Sequence, residues 1–260
     1  MKDAVVRAAE DIRFLGVPIE RHASIGSTND EVFRRAEEGA PEGLLVTAEV
    51  QTAGRGRRGR AWWDAPAASL PFSVLLRPTI ALPRYPLLAL AMACSVADAG
   101  EAEIGAPLTV KWPNDVLHDG RKLCGILAES RAGGAAGPML VIGTGVNVNQ
   151  LASDFPPEIQ GSATSLRLAA GGGEPLRPLA VLRSILSRFE RYVALAREDD
   201  GSALWREVVA RLPGPGTRIV IRSEGRMLEG VVEGYTEGGA LRLLETGRGE
   251  ALVISAGDVV

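Results

Sequence analysis

Residues 111–129 read KWPNDVLHDGRKLCGILAE, and their pattern decides the fold class. Asp119-Gly120 stands between two apolar runs, residues 115–118 and 121–130. Such a pair reads as a hairpin turn, because both turn positions need positive φ. Residues 108–112 read as a strand just before the hairpin. Residues 138–149 read as another just after it, reached through a Gly/Ala-rich turn at Gly133–Gly137. Further out, residues 44–49 and 69–77 are strand-like.

Helical patterns surround these runs. Ser27 and Thr28 each precede an acidic residue by three positions (Asp30 and Glu31), as in a capping box. Val32, Phe33 and Ala36 form an apolar stripe, and Gly39 and Pro41 close the segment. Residues 87–99 are nearly all apolar, with Pro86 in the first turn, so that helix is expected to be buried on most faces. Leu179, Leu182, Ile185, Leu186, Phe189 and Val193 keep helical spacing, and residues 203–212 continue helical. The expectation is an α+β fold, a mixed β-sheet with flanking helices. Pro213-Gly214-Pro215-Gly216 then breaks the chain. The tail holds short β-rich runs separated by Glu-Gly, Gly-Gly and Gly-Arg-Gly turns, which suits a small SH3-like barrel. The expected domains are residues 1–212 and 213–260.

The 260 residues are 46% hydrophobic, enough for a real core, and the formal net charge of −3 excludes a global basic field for nucleic acid. Cys94 and Cys124 sit in apolar runs without metal-type spacing. Buried reduced thiols in a cytoplasmic protein are expected. Residues 1–16 lack the apolar stretch of a signal peptide, and no segment reaches the roughly 18 apolar residues of a membrane span. His22 and His118 have no metal-ligand spacing; each is expected to be exposed or hydrogen-bonded, and no metal site is expected.

Four segments carry chemistry. The first, GRGRRGRAW at residues 54–62, sets Arg55, Arg57, Arg58 and Arg60 among three glycines. Glycine lets backbone approach a ligand, and arginine offers forked permanent charge to phosphate and carboxylate. On these residues alone, a solvated basic loop or an RNA-binding Arg/Gly tract competes equally. Trp62-Trp63, following at once, weakens that alternative. In the second, KWPNDVLHDGRK, the hairpin returns Lys122 toward Lys111, Asn114 and Asp115. Lys122 suits a developing anionic phosphate, though an ordinary surface lysine is the commoner reading. Asp115 is either a base for an incoming amine or a turn residue binding backbone amides, and Gly125 within a strand marks a close approach. The third, VIGTGVNVN at residues 141–149, lacks the third glycine and following helix of a dinucleotide fingerprint. Its glycines mark a surface on which something packs. Asn147 reads an adenine edge or caps the strand. The fourth is Ser27-Thr28-Asn29, where helix capping and ligand binding are compatible.

Together and in this order, the STN segment, QTAGRGRRGRAW, KWPND with KLCGIL, and IGTGVNVN resemble the biotin protein ligases. The resemblance covers residues 27–149, and the β-rich tail is similar to the small C-terminal domain of these enzymes. It implies a core related to class II aminoacyl-tRNA synthetases and an enzyme that forms biotinyl-5′-AMP from biotin and ATP, then passes biotin to a lysine of a biotin carboxyl carrier protein. It implies biotin contacts at Ser27, Thr28, Asn29, Gln51, Gly54, Arg55, Gly56, Arg57, Lys122, Gly125 and Leu127. ATP contacts are implied at Arg57, Arg60, Trp62, Lys111, Asn114 and Asn147. Lys122, Arg57 and Asp115 are the catalytic candidates, and Mg²⁺ is expected to travel with ATP. With only about 26 residues ahead of Ser27, no DNA-binding domain is expected; homodimerisation is left open. The rivals are a lipoate ligase and an RNA-binding protein that uses the arginine loop.

Overall fold

The computed structural model describes residues 12–132, 137–247 and 249–260. Residues 1–16, read as lacking a signal-peptide stretch, and the turn expected at Gly133–Gly137 lie largely outside the described residues. The strands are β1 Arg13–Phe14, β2 Val17–Pro18, β3 Glu20–Ile25, β4 Leu45–Gln51, β5 Ser69–Leu76, β6 Thr109–Lys111, β7 Asp115–His118, β8 Arg121–Arg131 and β9 Met139–Asn147. In the tail they are β10 Arg218–Ser223, β11 Arg226–Tyr235, β12 Leu241–Glu245, β13 Ala251–Ile254 and β14 Asp258–Val259. The helices are α1 Thr28–Glu37, α2 Tyr85–Ile104, α3 Leu166–Ala169, α4 Pro178–Glu198 and α5 Ser202–Val209.

The main sheet is mixed, in the order β3-β4-β5-β9-β8-β7-β6, with β3 parallel to β4 and the remaining pairs antiparallel. The Asp119-Gly120 turn joins β7 to β8 with φ of 47° and 72°, the positive values expected from its composition. Every residue of β5 and β9 is buried, as central strands covered on both faces must be. Strand alternation assigns those faces. Val74, Leu76, Leu140 and Ile142 join the large core under α2, α4 and α5. Leu75, Met139 and Val141 join the smaller core formed with Val32, Phe33 and Ala36 of α1.

Helix α2 runs past the expected end at residue 99, through Gly100 to a left-handed cap at Gly105 (φ 66°). Gly100 leaves room for Leu108: a Cβ there would stand 2.5 Å from Leu108 Cδ1. Ser27 occupies the N-cap position of α1, but its side chain makes no cap hydrogen bond.

The tail folds as a five-stranded antiparallel sheet, β13-β12-β11-β10-β14. Its pairing leaves β13 and β14 as edges among the described residues, which the small SH3-like barrel expected from sequence allows. Ile221, Val232, Leu241, Leu243 and Ile254 belong to the same apolar cluster as the main core. Trp112 Nε1 donates to the Gly239 carbonyl at 2.9 Å and Trp205 Nε1 to that of Thr236 at 2.9 Å, fastening the tail to the core. Cys94 and Cys124 are free and buried; burial pushes the Cys94 thiol up to about 12 and raises that of Cys124 further. No helix among the described residues is long and apolar enough to cross a membrane.

Candidate active site

The floor of the site follows from the period of two in β8 and β9. Gly143 and Gly145 continue the face of Met139 and Val141, beyond the part that α1 covers. In register with them on β8 are Leu127 and Gly125. The glycines are required by what lies above. A Cβ on Gly145 would stand 2.3 Å from Trp62 Cε2, one on Gly125 2.9 Å from Trp62 Cζ3, and one on Gly143 2.1 Å from Asn29 Oδ1. The indole of Trp62 therefore lies across the Gly125–Gly145 pair, and the Asn29 amide lies on Gly143.

At one end of this floor, α1 presents a network of short hydrogen bonds. Gln51 Oε1 accepts from the Thr28 amide at 2.9 Å and from the Thr28 hydroxyl at 3.0 Å. Ser73 Oγ lies 2.6 Å from Asn29 Oδ1, and Asn29 Nδ2 donates to Glu129 Oε2 at 2.7 Å. Asp64 is a two-armed acceptor, taking Gln51 Nε2 and Trp62 Nε1, each at 2.9 Å. Burial raises the Asp64 pKa above its ordinary value, more than these hydrogen bonds lower it. Ser27, Thr28 and Asn29 are all buried. Ser27 makes no cap bond and lines the cavity.

At the other end stands the β7–β8 hairpin. Lys122 Nζ is 2.7 Å from Asp115 Oδ1 and 5.7 Å from the Trp62 ring centroid. Asn114 is fixed on both sides: Nδ2 donates to the Ile126 carbonyl at 2.7 Å, and Oδ1 accepts from Arg57 Nη1 at 3.0 Å.

The arginine loop closes the cavity from above. Its neck is tied by Trp62 N to the Gly54 carbonyl at 3.0 Å and Gly56 N to the Arg60 carbonyl at 2.7 Å. Arg58 and Gly59 turn it with φ of 58° and 73°. Arg55 grips Asp30 with two hydrogen bonds of 2.7 and 2.6 Å, which hold the Asp30 carboxyl below its ordinary pKa. Burial pulls the half-buried Arg57 guanidinium down from its usual value.

One cavity thus collects Ser27, Thr28, Asn29, Gln51, Arg55, Gly56, Arg57, Arg60, Trp62, Asn114, Asp115, Lys122, Gly125 and Leu127 of the residues expected from sequence. Gly54, Lys111 and Asn147 do not line it. Gly54 lies behind the loop neck, where a Cβ would meet Gln51 Nε2 at 3.2 Å. Lys111 pairs with Asp115 across β6–β7. Asn147 borders an adjoining cavity that shares Ala61, Trp62 and Lys122 with the first and adds Trp63 and Phe155. Its amide is engaged there, donating to the Thr164 carbonyl at 2.9 Å and accepting from Gln150 at 3.0 Å.

The cavity also contains residues that sequence reasoning did not single out: Ala61, Ile126, Thr144 and Asp258. Asp258, from the last strand, had no motif to mark it. The expectation for His22 needs correction. It is buried, and neither ring nitrogen has a hydrogen-bond partner among the described residues, so it is not exposed and no partner there satisfies it. The parallel β3 and the start of α1 bring the potential ligand atoms of Glu20, His22 and Glu31 within 4.8 Å of one another, a grouping invisible to local spacing and outside the cavity lining. Arg35 and Arg34 already pair with the two glutamates. His118 does find a partner, the Pro107 carbonyl at 3.1 Å from Nδ1.

Residues 22–147 match the Biotin/lipoate A/B protein ligase family. The biotin--[acetyl-CoA-carboxylase] ligase of Mycobacterium tuberculosis is 35% identical, over 100% of this chain and 93% of that protein. The bifunctional ligase/repressor BirA of Bacillus subtilis is 35% identical, over 98% of this chain and 78% of that protein. Among solved structures, the biotin protein ligase from Aquifex aeolicus in complex with biotin and ATP superposes with a TM-score of 0.77 at 27% identity, covering 93% of this chain and 97% of that one.

Proposed function

The chain belongs to the biotin protein ligases of the biotin/lipoate A/B protein ligase family, and from that membership we propose how its cavity works. The enzyme is an ATP-dependent ligase that joins biotin to ATP as biotinyl-5′-AMP and transfers the biotinyl group to a lysine of a biotin carboxyl carrier protein. One observation carries this reading. A glycine floor, a polar end built on Ser27, Thr28, Asn29 and Gln51, and the side chains of Lys122, Arg55, Arg57 and Arg60 all line a single cavity.

In this reading the ureido ring of biotin meets the polar end, where the Ser27 hydroxyl and the Thr28–Gln51–Asn29 network offer both donors and acceptors. Its carboxylate points to Lys122 and Arg57. The nucleotide extends past Trp62 into the adjoining cavity, toward Asn147. In the first half-reaction a biotin carboxylate oxygen attacks the α-phosphorus of ATP and pyrophosphate leaves. Two anions must be brought together, so Lys122, Arg55, Arg57 and Arg60 supply positive charge fixed in place beforehand. ATP enters as its Mg²⁺ complex. Asp115 and Asp258, the acidic side chains lining the cavity, are paired with Lys122 and with arginines, which suits an ion that rides on the phosphates. In the second half-reaction the acceptor lysine attacks the acyl carbon and AMP leaves. Asp115, held at the floor by Lys122, orients that amine and takes its proton. The loop keeps water from the mixed anhydride in between. The same reading assigns residues 1–212 to the catalytic domain and 213–260 to a second domain that braces the loop. Its cytoplasmic setting is supported by two buried, unpaired thiols.

Biotin-dependent exchange of labelled pyrophosphate into ATP tests the substrate. Exchange with biotin and none with lipoate is the expected outcome; a preference for lipoate would overturn it.

A further inference from the structure

Three guanidinium groups of the 54–62 loop converge on one carboxylate from the far end of the chain. Arg60 Nη2 lies 2.7 Å and Arg58 Nη1 3.1 Å from Asp258 Oδ2. Arg57 Nη1 lies 3.7 Å from Oδ1 and donates to the neighbouring Gly257 carbonyl at 3.3 Å. Asp258 lines the cavity and sits in β14, which is held to β10 by two register pairs, Ile221↔Val259 and Arg222↔Asp258. One carboxylate offsets only one of the three positive charges. The arrangement leaves net positive charge on the loop, with a single internal carboxylate among the three guanidinium groups. Single exposed ion pairs contribute little, but several on one acceptor act as a network. Burial works to raise the Asp258 pKa, yet Arg60, Arg58 and Arg57 together hold it below its ordinary value, so the group is ionised throughout the neutral range.

We propose that Asp258 is an exchangeable counter-anion and a positioning residue: it holds the arginine loop over the cavity whenever no phosphate is on the arginines, yields them to the triphosphate of ATP, and takes them back once pyrophosphate has left. The physical reason is charge balance. The triphosphate carries enough negative charge to engage all three arginines. The acyl adenylate that remains carries a single phosphate charge and leaves most of the arginine charge uncompensated. Asp258 then closes the loop over the adenylate until the acceptor lysine arrives. The nucleotide steps rest on the ligase reading; the closure of the ligand-free loop does not.

The test compares the full-length wild-type chain with Asp258→Asn and Asp258→Glu. The loop is its own reporter, because trypsin cuts after arginine. In the absence of ligand, cleavage at residues 55–60 is expected to be about three- to tenfold faster in Asp258→Asn, on the scale of losing a small ion-pair network. It should be near the wild-type rate in Asp258→Glu, and inorganic pyrophosphate should slow it in all three. During turnover with biotin and ATP but no acceptor, Asp258→Asn should release several-fold more biotinyl-5′-AMP into the filtrate. Amide protection in residues 218–223 checks that the tail sheet is intact. Should that sheet loosen, Arg60→Gln, which removes the 2.7 Å pair from the loop side, replaces Asp258→Asn and must show the same two effects, with cleavage read at the remaining arginines and release taken per adenylate formed. Wild-type cleavage and release rates in a folded variant would overturn the proposal. A wild-type enzyme that forms no adenylate would overturn the ligase reading, while the cleavage comparison still decides the ligand-free latch.

Discussion

The floor and the loop of this cavity are held by different forces. The floor is the cavity-lining part of a sheet whose central strands, β5 and β9, are buried along their whole length and gripped by cores on both faces. The loop has no buried residue in its 57–59 turn, and its outer contacts are ion pairs with Asp30 and Asp258. Burial of apolar surface is insensitive to salt and to mild changes of pH, whereas partly exposed ion pairs respond to both. In the proposed function the molecule thus sets a preformed surface for biotin against a responsive cover for the reactive adenylate.

Four perturbations separate the two regions. The largest expected effect comes at their junction. Lys122→Ala should slow single-turnover formation of biotinyl-5′-AMP by about 10²–10³-fold, as loss of a charge stabiliser at a reacting phosphate does. Its thermal midpoint should barely move, since a partly exposed pair such as Lys122–Asp115 contributes about 0.2–1 kcal/mol; near-normal turnover would remove Lys122 from the mechanism. Next, Gly145→Ala places a methyl group 2.3 Å from Trp62 Cε2. Overpacking of about 1–3 kcal/mol should weaken biotin binding roughly five- to a hundredfold, measured by calorimetry, with the fold retained. Asp64→Asn follows. A carboxylate accepts from Gln51 and Trp62 at once, but an amide can present only one acceptor oxygen to the two donors. The KM for biotin should rise about tenfold, the scale of one unsatisfied buried donor, with little change in kcat.

The smallest effect is that of acid. The Asp64 pKa is raised above its ordinary 3.8, so on acidification this carboxyl takes up a proton before Asp30 and Asp258 do. Protonation relieves its burial and favours the folded state, but weakens its acceptance from Gln51 and Trp62. Asp30 and Asp258 are held below 3.8. Their pairs therefore stabilise the closed loop fully above 3.8 and are lost only as pH falls through their lower folded-state values. Biotin affinity should decline modestly on the acid side before tryptic cleavage of the loop accelerates; the reverse order would contradict the assignment of forces.

Local sequence carried most of the scaffold. The Asp-Gly hairpin, the apolar α2 and the arginine loop each declare themselves within about twenty residues, because turn chemistry and hydrophobic period are short-range properties. Glycines at 125, 143 and 145 hinted at a packed surface, though not that Trp62 lies on two of them. What stayed hidden depends on contacts between distant segments. Asp258 meets Arg60 across 198 positions, and no local pattern announces a lone aspartate at the end of a β-rich tail. The ring nitrogens of the buried His22 find no partner among the described residues, and Asn147, marked in sequence by its oddness in an apolar strand, turns out to spend its amide on Thr164 and Gln150.

The contrast between floor and cover can be read in one experiment, amide hydrogen exchange on the wild-type chain with and without biotin plus ATP. Protection should rise at least about tenfold across residues 54–62 and change little along β9, which is already locked in the sheet. A loop whose exchange is unaltered by the two ligands, or a floor that becomes ordered only when they bind, would contradict the account.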